Sequence, residues 1–409
     1  MRRILYVCRL FNGFEQSIID KIWKPTGVPT IYRVIDRLNE SDIDLKVIMT
    51  VKDGFMSYQP RRKCEIHFES FSNPVTILHN QAVNRPLKLL KIWRELVHFL
   101  HILLQFFLYK PDIVYLDHAN VWTAGLLARF SSTPIVFRIM GVYPSMRQIV
   151  HSKSLTFPQR FLRWLYKSPF DLVIATQDGS GVERWTDAVL NKNVPVKILL
   201  NGLSEPRKTR KVIDNRKTIN IIFIGKLEKA KGAEEFIQAM IMLANQANHS
   251  YKFTIVGFGS LQNKLKKCVV DSGHNALFKF IERVENKKIN SLLRSSDIYV
   301  SMNKLGNLSN ANLEAIAAGC CMIIPQSQPS TGVDLFTDKI LLGDMVWRLE
   351  HGDEKVALFK AVSTLLLDAD KPNKMARQVF QVAKELPSWK LRTDTEINLL
   401  RKIFHQKDN

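Results

Sequence analysis

The 409-residue sequence predicts an α/β protein of two successive halves, each a parallel sheet flanked by helices. Three observations carry that expectation. Short apolar runs alternate with longer segments of helical period from Ile4 to Ala175. A polar stretch, SEPRKTRKVIDNRK at 204–217, then interrupts the pattern. The alternation begins afresh at Ile219. Parallel strands can be joined only by long crossovers, usually helical, so this rhythm is the signature of a helix-covered parallel sheet.

In the first half the apolar runs Ile4–Cys8, Leu45–Thr50, Ile113–Leu116, Ile135–Ile139 and Leu172–Ala175 read as strands. Helical segments lie between them at Thr30–Leu38, introduced by Gly27-Val28-Pro29, at Leu87–Tyr109 and at Val121–Phe130. In the second half the strands are Ile219–Ile224, Phe253–Val256, Phe278–Ile281, Ile298–Ser301 and Met322–Ile324. Helices fill the gaps at Glu234–Ala247, Leu261–Val270, Lys288–Arg294 and Leu313–Ala318. The break at 204–217 is poor in apolar residues, as a linker between domains should be. Two Rossmann-like halves result.

Composition narrows the function classes. The chain is 46% hydrophobic and 24% charged, which is globular rather than disordered. Its five cysteines are scattered, without C-x-x-C spacing, which argues against a disulfide framework or structural zinc and fits a reducing cytoplasm. Met1-Arg2-Arg3 precedes an apolar run too short for a signal peptide. The apolar segment Leu96–Tyr109 is too short to cross a bilayer, and a buried core helix is the expectation for it, ahead of a helix lying on a membrane surface.

The net charge of +21 draws the chain toward an anionic partner. No zinc-finger spacing, RNP-type motif or basic tail accompanies the charge, so nucleic acid is not expected. Basic and aromatic residues mix at Lys88, Lys91, Trp93 and Arg94, and again at Arg160, Phe161, Arg163, Trp164, Tyr166 and Lys167. Either segment alone reads as a solvated helix face; the pair suits peripheral contact with an anionic membrane.

Three loops of the second half carry candidate chemistry. The first, Gly225-Lys226-Leu227-Glu228-Lys229-Ala230-Lys231-Gly232, follows a strand and precedes a helix. Ligands of open α/β sheets bind at such strand ends, where lysines and free amide groups complement a diphosphate. A solvated surface loop is the alternative. The second, Val256-Gly257-Phe258-Gly259, lets backbone approach a ligand, or is simply a tight turn. The third, from Gly306 to Gly319, places Glu314 near a helix start, where a carboxylate is favoured by the helix dipole and can accept ribose hydroxyls. Simple charge complementation explains that glutamate equally well.

Together these residues resemble the retaining glycosyltransferase family 4, the glycosyl transferases group 1, of GT-B fold. The first loop matches the family's G-R-L-x-x-x-K-G, with Lys226 in place of arginine. Val256-Gly257-Phe258-Gly259 matches its V-G-x-G, Ser296–Val300 its aD-x-x-v, and Leu313–Gly319 its L-E-A-m-A-x-G. More loosely, Asn201-Gly202 resembles its N-G-V-D, and Ser388-Trp389 the s-W before its C-terminal helix.

The resemblance implies two Rossmann-like domains with parallel sheets facing across a cleft: an acceptor domain at 1–203, a linker at 204–217, a donor domain at 218–388, and a C-terminal helix at 389–409 packing back on the first domain. It implies that Gly225, Lys226 and Lys231 bind the donor diphosphate, that Gly257 and Gly259 line the site, and that Glu314 holds the ribose. Gly13 and Gly27 would face the diphosphate from the first domain.

Two positions depart from the pattern. Gly306 stands where the first glutamate of the family's E-x7-E pair belongs, and Met140 stands where an N-domain histidine is usual. Relatives reading GNLSNxxLEA form a subgroup without that glutamate, so activity is still expected, with Ser309 and Asn310 supplying hydrogen bonds to the sugar. Arg138 reads either as a substrate contact or as a structural arginine.

The implied reaction moves a sugar from a nucleotide-diphosphate sugar to a glycan or lipid-linked acceptor with retention of configuration. Lys226, Lys231 and helix amides would stabilise the leaving diphosphate without a metal or other cofactor. The expected setting is cell-surface polysaccharide synthesis at the inner face of the plasma membrane. The competing readings are a nucleotide-sugar epimerase of the same fold, a dinucleotide-dependent oxidoreductase, and a non-catalytic nucleotide-sugar or membrane-surface binding module. Neither half has a G-x-G-x-x-G after its first strand, which counts against the oxidoreductase.

Overall fold

The computed structural model describes residues 1–52, 62–79, 88–152, 154–204, 218–246, 250–282, 284, 286–368 and 370–408. Most of the stretch read as a linker, 205–217, lies outside them, as does Leu87 at the start of the long apolar helix. The chain forms two compact units. One comprises Met1–Thr176, Glu183–Leu199 and Lys390–Asn409; the other comprises Gln177–Val182 and Leu200–Trp389.

The first unit is built on strands β1 (Arg2–Arg9), β2 (Ile43–Thr50), β3 (Cys64–Ile66), β4 (Val75–Leu78), β5 (Ile113–Asp117), β6 (Ile135–Ile139), β7 (Leu172–Gln177) and β8 (Val196–Leu200). They lie in the order β3-β4-β2-β1-β5-β6-β7-β8. The β3–β4 pair is antiparallel, whereas β1 runs parallel to both β2 and β5. The central strands are buried along nearly their whole length, so they read in sequence as continuous apolar runs without alternation. The short edge strand β3 and its neighbour β4 are invisible to that test.

The helix Trp389–Asp408 contributes Ile397, Leu400, Ile403 and Phe404 to the same apolar core as Ile4, Tyr6 and Tyr115. It also buries Glu396, which accepts hydrogen bonds from Arg138, Arg392 and the Tyr115 hydroxyl. Burial alone would raise that carboxyl, but the two guanidinium groups hold it down at about 2. Arg138 is therefore a structural ion-pair partner, fully enclosed.

The helix Lys88–Tyr109 corrects an expectation. An interior helix was predicted for its apolar half, yet only part of one face is buried, at His98 and Ile102. Trp93, Leu96, Leu100, Leu104 and Phe107 are 42–63% exposed. These positions recur at helical period and form one apolar stripe along the surface of the unit.

The second unit carries β9 (Ile219–Ile224), β10 (Tyr251–Val256), β11 (Phe278–Ile281), β12 (Ile298–Val300), β13 (Cys321–Pro325) and β14 (Trp347–Leu349). Their order is β11-β10-β9-β12-β13-β14, every paired neighbour parallel. Helices Ala233–Ala244 and Glu354–Leu367 supply Phe236, Ile237, Leu358 and Val362 to the core of one face. On the other face, helix Asn310–Ala318 packs Leu313 and Ile316 among Ile222, Tyr299 and Met322. The alternation of strands and helices read from the sequence is thus borne out in both units.

Candidate donor site

Strands β10, β9 and β12 are adjacent and parallel, so the three segments leaving their carboxyl ends (257–260, 225–232 and 301–309) are neighbours. This is the ligand-binding edge of an open α/β sheet. The first two are laced together. Gly225 N donates to Val256 O at 3.0 Å, Leu227 N to Phe258 O at 3.0 Å, and Leu261 N to Leu227 O at 3.0 Å. Glu228 accepts from the Ser260 amide at 2.9 Å and its hydroxyl at 2.7 Å, bonds that hold its carboxyl below the usual glutamate value.

The glycines divide into two kinds. A Cβ on Gly257, whose φ is +139°, would sit 1.9 Å from the Gly225 carbonyl oxygen, and one on Gly259 would sit 2.5 Å from Leu227 O. Packing between the loops accounts for both. Gly225 differs: its nearest neighbour to an added Cβ would be the Phe223 ring at 3.5 Å, an ordinary contact. Among the described residues no neighbour requires glycine there.

Lys226 is exposed and Lys231 half-buried, and the two ammonium groups are close enough to repel. Burial pushes the Lys231 ammonium down from the ordinary lysine value, Asp178 pulls it back up, and Lys226 adds to the depression. Lys231 Nζ donates to Asn303 Oδ1 at 3.0 Å. From Asn303 a chain of buried amides continues. The Asn307 side chain donates to Asn303 O at 3.0 Å and accepts from Ser301 Oγ at 2.7 Å, and Asn312 Nδ2 donates to Asn307 O at 3.0 Å. This chain ties the lysine loop to the N-terminus of helix Asn310–Ala318.

Ser309 caps that helix: its hydroxyl accepts from Asn312 N and donates to Asn312 Oδ1 at 2.9 Å. Asn310 Oδ1 accepts from Asn201 Nδ2 at 2.8 Å. Both residues expected to meet the sugar thus have structural engagements. Glu314 is half-buried in the helix and lies beside Tyr299, whose hydroxyl donates to Asn312 Oδ1 at 3.0 Å. Lys226 and Lys231 repel each other electrostatically, and the amide chain from Lys231 ends at Asn312, two positions before Glu314 on the same helix.

Gly27 belongs to the other unit, where it presses against Gly13 beyond the end of β1; a Cβ at Gly27 would lie 1.8 Å from Asn12 O.

Gly306 acquires a physical explanation. Its φ is +138°, and a Cβ there would meet the backbone of Asp178, Gly179 and Ser180 at 2.6 Å. The segment leaving β7 fills the space a glutamate at 306 would need. Leu308 N donates to Asp178 O at 3.0 Å and Asp334 N to Gly179 O at 2.7 Å. Asp334 in turn receives the Asn307 amide and side chain, each at 2.6 Å, and Thr337 Oγ1 at 2.7 Å. Burial raises the Asp334 carboxyl and pushes that of Asp178 up to about 6, against the bonds from Ser180 and the charge of Lys231.

Asp178 was missed from sequence. The small-residue turn Asp178-Gly179-Ser180-Gly181 after a strand was its one visible signal. Asn303 and Asp334 gave none.

Residues 205–339 match the family described as Glycosyl transferases group 1. Among similar sequences, an uncharacterized glycosyltransferase of Methanocaldococcus jannaschii is 29% identical over 136 residues, 33% of each chain. An α-1,4-N-acetyl-D-galactosaminyltransferase of Campylobacter jejuni, whose name specifies a PP-undecaprenol substrate, is 26% identical over 40% of this chain and 43% of its own. The matches span about a third to a half of these relatives' lengths.

The fold is shared over the whole chain. Sucrose-phosphate synthase of Thermosynechococcus elongatus superposes with a TM-score of 0.71 at 13% identity, covering 99% of this chain and 100% of that one. The Anabaena protein HepE, solved in complex with UDP and glucose, gives 0.65 at 13% identity, covering 98% and 100%. The architecture is GT-B, with two parallel-sheet α/β units.

Proposed function

We propose that the protein is a glycosyltransferase that moves a sugar from a nucleotide-diphosphate sugar to a glycan or lipid-linked acceptor with retention of configuration. The observation that carries this reading is the cationic pair on the β9 loop. Lys226 and Lys231 meet at the carboxyl ends of three adjacent parallel strands, beside a glycine at 225 that the protein's own packing does not demand. A leaving nucleoside diphosphate accumulates negative charge, and two ammonium groups, that of Lys231 held by Asn303, stabilise it without proton transfer. Glu314 holds the ribose, and Gly257 and Gly259 bring backbone against the nucleotide. The family match over 205–339 supports the donor class, and the lipid-pyrophosphate substrate in the Campylobacter relative's name supports a lipid-linked acceptor.

The setting we propose is an anionic membrane surface, in cell-surface polysaccharide synthesis. Among the described residues no helix is long and apolar enough to cross a bilayer. The exposed stripe of helix Lys88–Tyr109 instead suits a helix lying in the interface, with the exposed Lys91 and Lys110 to meet headgroups. A cavity of about 670 Å³ lies alongside, lined by Leu103, Phe106, Phe107, Leu127 and Phe130 among others.

The test is nucleotide release from UDP-, GDP- and ADP-sugars with and without lipid-linked acceptors, together with Lys231→Ala. Turnover of the variant should fall by roughly ten- to several-hundred-fold, the usual cost of deleting one transition-state charge contact. Unchanged turnover removes Lys231 from the site. Sugar interconversion without acceptor favours an epimerase, and binding without turnover favours a binding module.

A further inference from the structure

We propose that Asn303 is a positioning residue that holds Lys231 ready for the donor diphosphate through a neutral oxygen, fixing the ammonium without cancelling its charge. The inference rests on the reading of Lys231 as a diphosphate ligand. Lys231 Nζ donates to Asn303 Oδ1 at 3.0 Å, and the same oxygen accepts from the Leu305 amide at 3.1 Å. Asn303 Nδ2 donates to the Gly306 carbonyl. These three contacts admit one orientation of the side-chain amide. Exchanging its oxygen and nitrogen would set N–H groups against an ammonium and a backbone N–H, and oxygen against a carbonyl.

The support behind Asn303 is equally specified. The residue is buried, and its backbone carbonyl accepts from Asn307 Nδ2 at 3.0 Å. Asn307 is held in turn by Asp334, which accepts from its amide and its side chain at 2.6 Å each, and by Ser301 Oγ at 2.7 Å. The lysine loop presses on the same segment. Lys304 N donates to Ala230 O at 3.2 Å, and a Cβ on Gly232 would lie 2.3 Å from Met302 Cβ. Both ends of the Lys231–Asn303 bond therefore stand on packed backbone.

The choice of an amide has a chemical consequence. A free lysine must surrender its rotamer freedom when it meets a phosphate, a loss worth up to roughly thirtyfold in affinity, whereas a lysine already held has surrendered it. Asn303 needs only one N–H of the ammonium, which has three. A carboxylate in the same place would hold the lysine as firmly, but it would pair with the charge the diphosphate needs and repel the diphosphate itself. Positioning without charge compensation thus calls for asparagine at 303.

The experiment is calorimetric titration of the full chain with UDP-glucose, GDP-mannose and ADP-glucose, arranged as a double-mutant cycle. Lys231→Met should weaken binding about tenfold or more, and Asn303→Ala roughly three- to thirtyfold. In the Lys231→Met background, Asn303→Ala should change affinity by less than about twofold, because the group it acts through is gone. Additive losses would mark a merely structural asparagine and overturn the proposal. Asn303→Asp keeps the shape and the acceptor oxygen, yet should bind more weakly than Asn303→Ala at low salt, with the gap narrowing as salt is added. Wild-type or tighter affinity in Asn303→Asp overturns the need for a neutral group. Asn303→Ser takes the place of Asn303→Ala in the cycle if the alanine variant does not fold.

A second arm needs no ligand: carbon-13 relaxation of the Lys231 ε-methylene, whose order parameter should fall in Asn303→Ala. An unchanged order parameter overturns the positioning role. If the order parameter falls but Lys231→Met binds all three sugar nucleotides as wild type does, or wild type binds none of them, the donor-site reading fails instead, and the diphosphate role of the held lysine with it.

Discussion

Gly225→Ala separates ligand recognition from folding at a single methyl group. In the protein alone the new Cβ meets only the Phe223 ring at 3.5 Å, and the residue's φ is outside the left-handed region. Folding stability should therefore change by less than about 1 kcal/mol, with a small gain from the stiffer unfolded chain acting in its favour. A diphosphate drawn to the 225–226 backbone, however, would meet that methyl. Losing one charge-assisted amide contact is worth about 1.5–3 kcal/mol, at least tenfold in affinity.

Gly257→Ala is the contrast. Its Cβ would overlap the Gly225 carbonyl oxygen at 1.9 Å from a φ of +139°, so the loop pair must move apart at a cost of about 3 kcal/mol or more. Thermal melts and calorimetric titration with sugar nucleotides distinguish the two. The expected pattern is a native melt with weak binding for the first variant, and a lowered melt for the second. Wild-type donor affinity in Gly225→Ala would refute the claim that this glycine is reserved for a ligand.

Three further outcomes are expected. Glu396→Ala leaves Arg138 and Arg392 buried without their carboxylate, and should cost about 3–5 kcal/mol in denaturant titrations followed by tryptophan fluorescence. Glu396 is depressed to about 2, so its contribution is present above pH 4.5 and is lost as pH falls toward 2. His98, buried and pushed down to about 4 by desolvation, binds its proton first in the unfolded chain. Its contribution is therefore intact above pH 6.5 and falls by about 2 kcal/mol at pH 5, a loss that His98→Gln should remove from urea titrations at the two pH values. Finally, Leu100→Glu with Leu104→Glu should abolish cosedimentation with phosphatidylglycerol vesicles without lowering the melting temperature, since both side chains are more than half exposed. Retained cosedimentation would exclude the stripe as the contact.

The fold was largely legible because the strands of a sheet covered on both faces must be apolar along their length. Ile135–Ile139 and Ile219–Ile224 were bounded correctly for that reason. Strands β3, β4, β8 and β14 escaped because a short strand at or beside a sheet edge has no period to display. The lysine loop was legible from its place between a strand and a helix. The helix Lys88–Tyr109 was misjudged because hydrophobicity reports what a face prefers to touch, without saying whether the protein or something else supplies it.

From the order of residues alone follow the two α/β halves, the strand ends where a ligand would sit, and the cationic loop at 225–232; each depends on neighbours a few positions apart. Long-range packing decided the rest. That Gly306 is glycine because the backbone of 178–180 occupies its side-chain space, that Lys231 donates to Asn303, and that Arg138 is neutralised by Glu396 all join residues far apart in the chain. Such pairings leave no periodic trace in sequence, because sterics and Coulomb interaction act through distance in space, which only the folded chain defines.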